Sequence, residues 1–434
     1  MNQSNRVNLT TRMPLLGNRS FVVLITAQII SNLGDWLHIL AIFTLVGFKW
    51  NATPWEITIF SLCMAIPMMI GGPIAGYMSD KMNRKYLMII SDVLRAILVM
   101  TLIFAGSLMQ VYVIVIVKGL VDSLFSPAKS GKIKEIVPSE HMASAVALSS
   151  GIEQICKIIG PALGGLIVAA FGIEACFLID GGTFILSAII LLGIPGLSSI
   201  ATAKEDQVSS PKNKSMSSFW KEMSAGMTQI ITMPLVFSGL LILVMVLMVL
   251  QIADSQTVVL FRDIPGVSED LLGWCIGASG LGTLIAALIV GKWRVKPLVK
   301  MGLGAAMMGL VFALAPAAAQ QAEIAQFILF PAFLMVGFGA GMAFIPFQTM
   351  LQLRTPATLT GRVFGTVNSL TSAAVIVGPI VGGALVTAYG ADLAFIVSGS
   401  LMFILGLGVL FVRFWIEKKD TDIAQSKGLT EMAS

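Results

Sequence analysis

The stretch Gly160-Pro161-Ala162-Leu163-Gly164-Gly165 decides the fold, because it occurs twice. The second copy is Gly378-Pro379-Ile380-Val381-Gly382-Gly383, about half of the 434-residue chain further on. The register holds downstream, where Phe171-Gly172 matches Tyr389-Gly390. A self-match at half the chain length indicates two homologous halves. Because each copy lies in a long apolar run, the sequence predicts that each half is a bundle of membrane helices.

The composition supports a membrane protein. The chain is 56% hydrophobic and 12% charged, whereas soluble domains are about 25% charged. Continuous apolar runs of about 20 residues suffice to cross a bilayer core as helices, and they lack the alternation of a barrel strand. We predict twelve spans, at 20–48, 55–78, 86–106, 110–128, 144–171, 174–194, 233–260, 269–291, 297–318, 323–346, 362–388 and 391–414.

The polar stretches between these runs divide the chain. We predict two pseudo-symmetric six-helix bundles, at residues 20–195 and 233–415. A Ser- and Lys-rich linker at 196–232 joins them, and its composition predicts a flexible loop. Residues 1–19 form a polar N-terminal segment. The tail at 416–434 is polar, and we expect it to be disordered.

The positions of the basic residues predict the orientation. Of the 28 lysines and arginines, only Lys49 and Arg262 fall in loops on the side opposite the N-terminus. Arg95, Lys118 and Lys157 lie within spans, and all the others share the side of the N-terminus. The positive-inside rule therefore places both termini in the cytoplasm, and the net charge of +5 is no sign of nucleic-acid binding.

The chain carries none of the short motifs of enzymes or ATP-driven pumps. It has no GxxxxGK[ST] loop, HExxH motif or EF-hand loop, and no cluster of nucleophile, base or metal ligands. The four cysteines lie in apolar spans without CxxC spacing and are interpreted as small buried hydrophobes. We predict a protein that is no enzyme, binds no metal or cofactor, and takes its energy from an ion gradient.

The loop after the second span carries the first resemblance to a known family. It reads Gly76-Tyr77-Met78-Ser79-Asp80-Lys81-Met82-Asn83-Arg84-Lys85, which resembles the G-x-x-x-D-[RK]-x-G-[RK]-[RK] signature of the major facilitator superfamily. The resemblance implies two six-helix bundles that rock about a central cavity. It also implies a cytoplasmic gate formed by Asp80 and Arg84. Gly76 would let helices approach closely. Asn83 replaces the family's glycine, and we expect a left-handed turn there, which asparagine tolerates.

The two glycine-proline copies suggest a close helix contact. A proline inside a helix removes a backbone hydrogen bond and bends it, and glycines remove bulk from the face that meets a neighbour. We predict bent, closely packed helices at the domain interface. In the family, the first copy resembles a motif of exporters that seals the outer side. The alternative is a packing motif without directional meaning. The residues concerned are Gly160, Pro161, Gly164, Gly165, Gly378, Pro379, Gly382 and Gly383.

Ionisable residues inside spans are costly and are therefore functional candidates. Asp35 lies near the middle of the first span, with His38 one turn further on the same face. Hydrocarbon disfavours the charged form of an acid, so Asp35 could bind and release a proton, and His38 could share or tune it. The alternative is an aspartate hydrogen-bonded to polar neighbours and a histidine that lines a polar pocket.

Two oppositely charged pairs occur at helical spacing in the first half. Lys118 and Asp122 lie four residues apart in the fourth span, and Glu153 and Lys157 lie four apart in the fifth. Each pair could simply neutralise itself on one helix face. Alternatively, all four face the central cavity and form a charge network that proton binding reorganises.

The second half offers Asp254 well inside a span. This asymmetry suggests that coupling belongs to the first half, while the apolar second half shapes the substrate pocket. Asp92 and Arg95 are interpreted as structural, and the sequence suggests no role for Asp180.

Four short motifs narrow the resemblance to one branch. Ser31-Asn32-Leu33-Gly34-Asp35, Phe125-Ser126-Pro127-Ala128, Val137-Pro138 and Gly361-Arg362-Val363-Phe364-Gly365 are similar to the macrolide-efflux branch of the proton-coupled drug exporters, which includes enterobactin-type siderophore exporters. This implies proton-driven export of hydrophobic or amphipathic small molecules. The alternatives are a siderophore or metabolite exporter, a lysophospholipid flippase, or a non-transporting sensor or scaffold. We expect a monomer in a bacterial plasma membrane that contacts its substrate and lipids.

Overall fold

The chain is predominantly α-helical in the part that a computed structural model describes, residues 15–195, 227–228, 230–264, 269–319, 322–355 and 360–433. No strand occurs within those ranges. The predicted linker at 196–232 lies mostly outside them. The helices are α1 Arg19–Thr44, α2 Pro54–Lys81, α3 Arg84–Leu102, α4 Leu108–Ile136, α5 Met142–Phe171, α6 Ile173–Leu191, α7 Pro234–Asp254, α8 Thr257–Arg262, α9 Glu269–Val290, α10 Pro297–Ala319, α11 Ala322–Arg354 and α12 Thr360–Ala433.

Helix α12 consists of two arms that meet at Gly390. The φ of this residue is 84°, in the left-handed region that glycine adopts without strain. With the arms counted separately and α8 taken as the continuation of α7, the described residues contain the twelve predicted long helices. Nine stretches of the described residues are apolar and long enough to cross a membrane by composition. One of them, Val363–Asp420, covers both arms of α12, and α3 and α5 are not among the nine. Helix α3 falls outside this set because it carries Arg84, Lys85, Asp92 and Arg95. The protein is an all-α membrane protein.

One compact unit of the chain comprises Met1–His38, Pro67–Lys157 and Phe177–Val208. Its apolar core includes Phe21, Leu87 and Phe125, which are buried. A reciprocal pair of hydrogen bonds ties α1 to α5 in this unit: Gln28 Nε2 donates to the Ser149 carbonyl at 2.9 Å, and Ser149 Oγ donates to Gln28 Oε1 at 2.8 Å. A satisfied polar pair of this kind fixes the register of two otherwise apolar helices.

The other compact unit comprises Ile39–Ile66, Ile158–Cys176 and Ser209–Ser434. It therefore joins the end of α1, the start of α2 and the end of α5 to helices of the second repeat. Its core includes Val258, Phe261 and Leu272, with Phe333 packed edge-on against Phe261. The proposed domain boundaries at 20–195 and 233–415 stay a prediction.

The C-terminal tail differs from the expected disorder, because α12 continues as a helix to Ala433. Two ion pairs hold the first turns of this extension. Glu417 Oε2 accepts from Lys296 Nζ at 2.7 Å, and Asp420 accepts from Arg354 Nη1 at 2.7 Å. The sequence prediction was wrong because it judged the polar tail in isolation, without Lys296, which precedes α10, and Arg354, which ends α11.

Candidate functional site

The first compact unit contains an ionic cluster centred on Lys118. Its ammonium donates to Asp122 Oδ2 at 2.9 Å on the same helix and to Asp35 Oδ1 at 3.2 Å on α1. The i,i+4 pair expected from the sequence is present, and it is joined to Asp35. The cluster therefore ties α4 to α1 within the membrane-spanning part of the chain.

Arg95 of α3 extends the same cluster. One guanidinium nitrogen donates to Asp92 Oδ1, and another lies 3.4 Å from Asp35 Oδ2. Asp92 Oδ2 in turn accepts from the Ser187 hydroxyl of α6 at 2.6 Å. The guanidinium is flanked by the rings of Phe125 and Phe184, at 4.6 and 4.5 Å from the ring centroids. The hydrogen bonds lie at the edge of the guanidinium, and the aromatic rings pack near it. Together they hold this cation in one position.

His38 lies one turn beyond Asp35 and is more deeply buried than Asp35. Its Nδ1 lies 2.7 Å from Asp180 Oδ2 of α6, and the two side chains are 3% and 0% exposed. Gly34 makes this approach possible, since a Cβ there would collide with Asp180 and with Thr183. The glycine of the Ser31–Asp35 motif thus allows α1 to approach the acid on α6.

The cluster has its cations inside and two of its acids towards the surface. Lys118 and Arg95 are 6% and 3% exposed, whereas Asp35 and Asp122 are 27% and 23% exposed. Asp92 is completely buried with them. A ligand that reaches this cluster therefore meets carboxylate oxygens before it meets a positive charge.

Sequence reasoning did not assign three members of this cluster to the site. Arg95 and Asp92 were interpreted as structural, and Asp180 had no role. Their signal was the presence of an ionisable residue inside a span. Spacing on one helix predicts partners on that helix, but it does not say which other helices supply charges.

The remaining in-span acids lie elsewhere. Glu153 of α5 accepts from Lys129 of α4, a pairing that the Glu153/Lys157 spacing did not predict. The Lys157 side chain lies outside the described residues. Asp254 ends α7 in the second compact unit and is exposed. Only Asp35, His38, Lys118 and Asp122 among the proposed coupling residues are thus brought together in the described cluster.

Two residues of the signature loop, Asn83 and Gly76, differ in structure from what the sequence predicted. Asn83 has φ −65°, which is not left-handed, and its side chain caps α3 by accepting from the Lys85 backbone N–H at 3.1 Å. The asparagine is there as a helix cap. A Cβ on Gly76 would have no neighbour within 4 Å, so the expected close helix approach at this glycine is not found.

The basic residues of this loop bind other parts of the first compact unit. Arg84 Nη1 lies 2.8 Å from Glu135 Oε1 at the end of α4. Lys85 Nζ donates to the Leu192 carbonyl at 2.8 Å, where a cation stabilises the C-terminus of α6. The side chain of Asp80 lies outside the described residues. The gating role of Asp80 and Arg84 stays a prediction.

The duplicated motifs make close contacts in the second compact unit. A Cβ on Gly165 of α5 would collide with the carbonyl of Gly273 on α9. Equivalent collisions would occur between Gly378 and Gln251 and between Gly382 and the Ile252 carbonyl, on α7. Gly160 is buried, the Gly164 carbonyl accepts from Cys176, and the Pro161 side chain lies outside the described residues. At Gly165, Gly378 and Gly382 the absence of a side chain lets two helices approach closely. The bend and the position at the domain interface stay predictions.

Polar side chains reinforce that contact near the α1–α2 turn. The hydroxyl of Thr58 on α2 lies 3.1 Å from the Pro379 carbonyl and accepts from Gln256 Nε2 at 3.3 Å. Gly383 leaves room for that hydroxyl. Arg262 Nη1 donates to the carbonyl of Ala52 at 2.8 Å. These bonds hold the start of α2 against the second repeat at the predicted outer end.

An all-α membrane protein with paired charges buried inside its spans is typical of secondary transporters. The comparison with known proteins identifies the family. The sequence profile of the Major Facilitator Superfamily matches residues 24–368 and 255–431. The chain belongs to the major facilitator superfamily and is a transporter of that family.

Three relatives illustrate its place in the family. The uncharacterized MFS-type transporter YfiS of Bacillus subtilis is 39% identical over 91% of this chain and 93% of its own length. The multidrug efflux pump Tap of Mycolicibacterium fortuitum is 24% identical, over 85% and 91% of the two chains. The enterobactin exporter EntS of Escherichia coli is 25% identical, over 82% of each.

Proposed function

We propose that this transporter exports cationic amphipathic small molecules in exchange for protons. The observation that carries the proposal is the ionic cluster around Lys118, with its buried cations and partly exposed acids. The similarity to the efflux pump Tap supports export. The substrate class and the coupling ion are inferred from charge and burial.

The charge balance of the cluster supports proton coupling. Its four carboxylates, Asp35, Asp92, Asp122 and Asp180, face the two permanent cations Arg95 and Lys118. With every acid ionised and His38 neutral, two negative charges remain uncompensated. Uncompensated charge is costly inside a membrane protein, so the cluster favours the uptake of protons or of a cation.

The same arrangement supports a cationic cargo. Asp35 and Asp122 present the accessible oxygens of the cluster, and Lys118 lies beneath them. A cation that binds there compensates the excess negative charge, and two protons can do the same. Competition between cation and protons for the same acids is the simplest basis of exchange. An anionic cargo would require an accessible Lys118.

The proposed cycle places both termini in the cytoplasm of a bacterium. Cargo enters from the cytoplasm or the inner leaflet and binds near Asp35. Protons then enter from outside, displace the cargo and reset the carrier. The basic residues around the ends of α2, α9 and α11 support this orientation through the positive-inside rule.

Transport by purified protein in proteoliposomes tests the proposal. We expect a lipophilic cationic dye to move against an imposed pH gradient, and no transport with a sodium gradient alone. Asp35→Asn should abolish gradient-driven transport while the protein stays inserted. Asp263→Asn is the matched control, because it removes the same charge from an exposed position. Full gradient-driven activity in Asp35→Asn would remove Asp35 from the mechanism.

Export of a siderophore is the second candidate, because EntS is similar over most of both chains. The same proteoliposomes decide between the two. Transport of a catecholate siderophore without transport of the cationic dye would favour this candidate and contradict the cationic preference. Transport of neither under any imposed gradient would count against proton-coupled export altogether.

A further inference from the structure

A groove at the predicted cytoplasmic end of the second repeat is not part of the transport site described above. It has a volume of about 890 Å³ and lies between the start of α7 and the part of α12 that follows the membrane span. This volume falls within the range of about 300–1,000 Å³ that is usual for ligand pockets. All of its lining residues belong to the second compact unit.

The groove is lined by apolar and by basic side chains. The apolar ones include Phe237 of α7, Ile231 just before that helix, and Phe414 and Ile416 of α12. Phe414 is 61% exposed. Phe414 is the last residue of the predicted span, so its exposed ring is available to a lipid chain or a partner. These residues offer a surface for an acyl chain.

Lys418 and Lys419 also line the groove, and both are exposed. The nearby acids Glu417 and Asp420 are occupied by Lys296 and Arg354. Asp422 is the acid that lines the groove itself, so its basic residues outnumber its acid. The charge of the groove therefore favours an anion.

We propose that this groove binds one anionic phospholipid from the cytoplasmic leaflet. The acyl chains lie along Phe237 and Phe414, and the phosphate lies between Lys418 and Lys419. Trp415 lines the groove and is 81% exposed. It directly follows the predicted span, the position at which aromatic residues commonly meet the headgroups. Lysines next to a membrane surface attract anionic headgroups, and an apolar groove beside them distinguishes a lipid from a free phosphate.

Because the groove is lined by both helices, the bound lipid contacts the start of α7 and the helical extension of α12 and holds them together. This role is independent of cargo and coupling ion, because none of the groove residues belongs to the ionic cluster. It predicts a lipid that stays bound when the bulk membrane is removed by detergent.

Native mass spectrometry on protein taken from bilayers of equal phosphatidylglycerol and phosphatidylethanolamine tests the proposal. We expect one retained phosphatidylglycerol per protein. Removal of both charges in Lys418→Gln/Lys419→Gln should lower its retention about 25-fold, at roughly fivefold for each lysine. Ser238→Trp fills the groove without changing its charge, and it should also remove the lipid.

The matched control is Lys292→Gln/Arg294→Gln, which removes two exposed charges at the same end outside the groove. This variant should retain the lipid. If the control lost as much phosphatidylglycerol as the groove variant, the binding would reflect general attraction to the basic surface, and the proposed site would be overturned. Unchanged retention in either groove variant would overturn it as well. A wild-type protein without bound phosphatidylglycerol would overturn the site too.

Discussion

Lys118 Nζ lies 3.2 Å from Asp35 Oδ1, so an ammonium that is almost completely buried connects the helix of the fourth span to that of the first. Since Asp122 binds the same ammonium, one cation is shared by two carboxylates. Any change in the charge of Asp35 must therefore alter the pairing of Asp122. Through this shared cation, a proton or a ligand at α1 can be sensed at α4.

Removal of this cation should destabilise the protein through the acids that it pairs. We predict that Lys118→Met lowers the free energy of unfolding by about 3 kcal/mol, because two partly buried carboxylates lose their ammonium partner and keep their longer contacts to Arg95. Lys118→Met/Asp122→Asn should recover part of the loss, with a coupling energy of about 0.5–3 kcal/mol. Unfolding in mixed detergent micelles measures both. Lys134→Met, at an exposed position of the same helix, should change little. Independent, additive effects would show that the shared ammonium is unimportant.

Arg95 should not be replaceable by lysine. Arg95→Lys keeps the charge but loses the fork that binds Asp92 and the flat face between Phe125 and Phe184. We predict a loss of about 2 kcal/mol in stability, the size of a desolvated cation–π contact. The same unfolding assay applies. Phe184→Leu should give part of this loss in the wild type and less in Arg95→Lys. If lysine supports full stability, the stacked geometry contributes nothing.

The duplicated glycine motif should tolerate no side chain at Gly165. Gly165→Ala places a methyl group against the Gly273 carbonyl, so α5 and α9 must separate. We predict at least a tenfold loss of transport in vesicles that contain normal amounts of the protein. Gly182→Ala serves as the control, since a Cβ there meets no atom within 4 Å. Wild-type transport by Gly165→Ala would show that this contact is not used in the cycle.

The hydrogen bond from Arg262 should keep the α1–α2 turn closed. Its guanidinium binds the carbonyl of Ala52, a residue that is 1% exposed. We predict that Arg262→Gln raises the rate at which maleimide reagents label Ala52→Cys several-fold, because the turn opens more often. Lys49→Gln is the control, since Lys49 is 53% exposed and lies 3.7 Å from Glu174. Exposed pairs of this kind contribute little. An unchanged labelling rate in Arg262→Gln would argue against this role of the hydrogen bond.

Asn83 should contribute as a cap rather than as a turn residue. Asn83→Ala removes the acceptor for the Lys85 backbone N–H. It should cost about 1 kcal/mol, while Asn83→Gly should cost only a few tenths. Amide hydrogen exchange in the first turn of α3 measures the difference. Equal exchange in all three proteins would show that the cap is dispensable.

The sequence predicted the helices well because hydrocarbon imposes long apolar runs and the repeat fixes their number. It also predicted the Lys118–Asp122 pair, since a spacing of four places both residues on one face. The partners on other helices were not predictable in this way. Asp180, for example, meets His38 only because α6 packs on α1 at Gly34. Asn83 was misinterpreted because a cap and a left-handed turn favour the same residue type.

The helical extension of α12 has a practical consequence for measuring motion. It continues past Ile416 to Ala433. At the usual rise per residue, this stretch is about 26 Å long. Its ion pairs to Lys296 and Arg354 couple its base to α10 and α11. A small tilt of α10 and α11 should therefore produce a larger displacement at the C-terminal end of the extension. A fluorophore attached at that end would report the helix movements of the transport cycle as a large displacement, without any label inside the membrane.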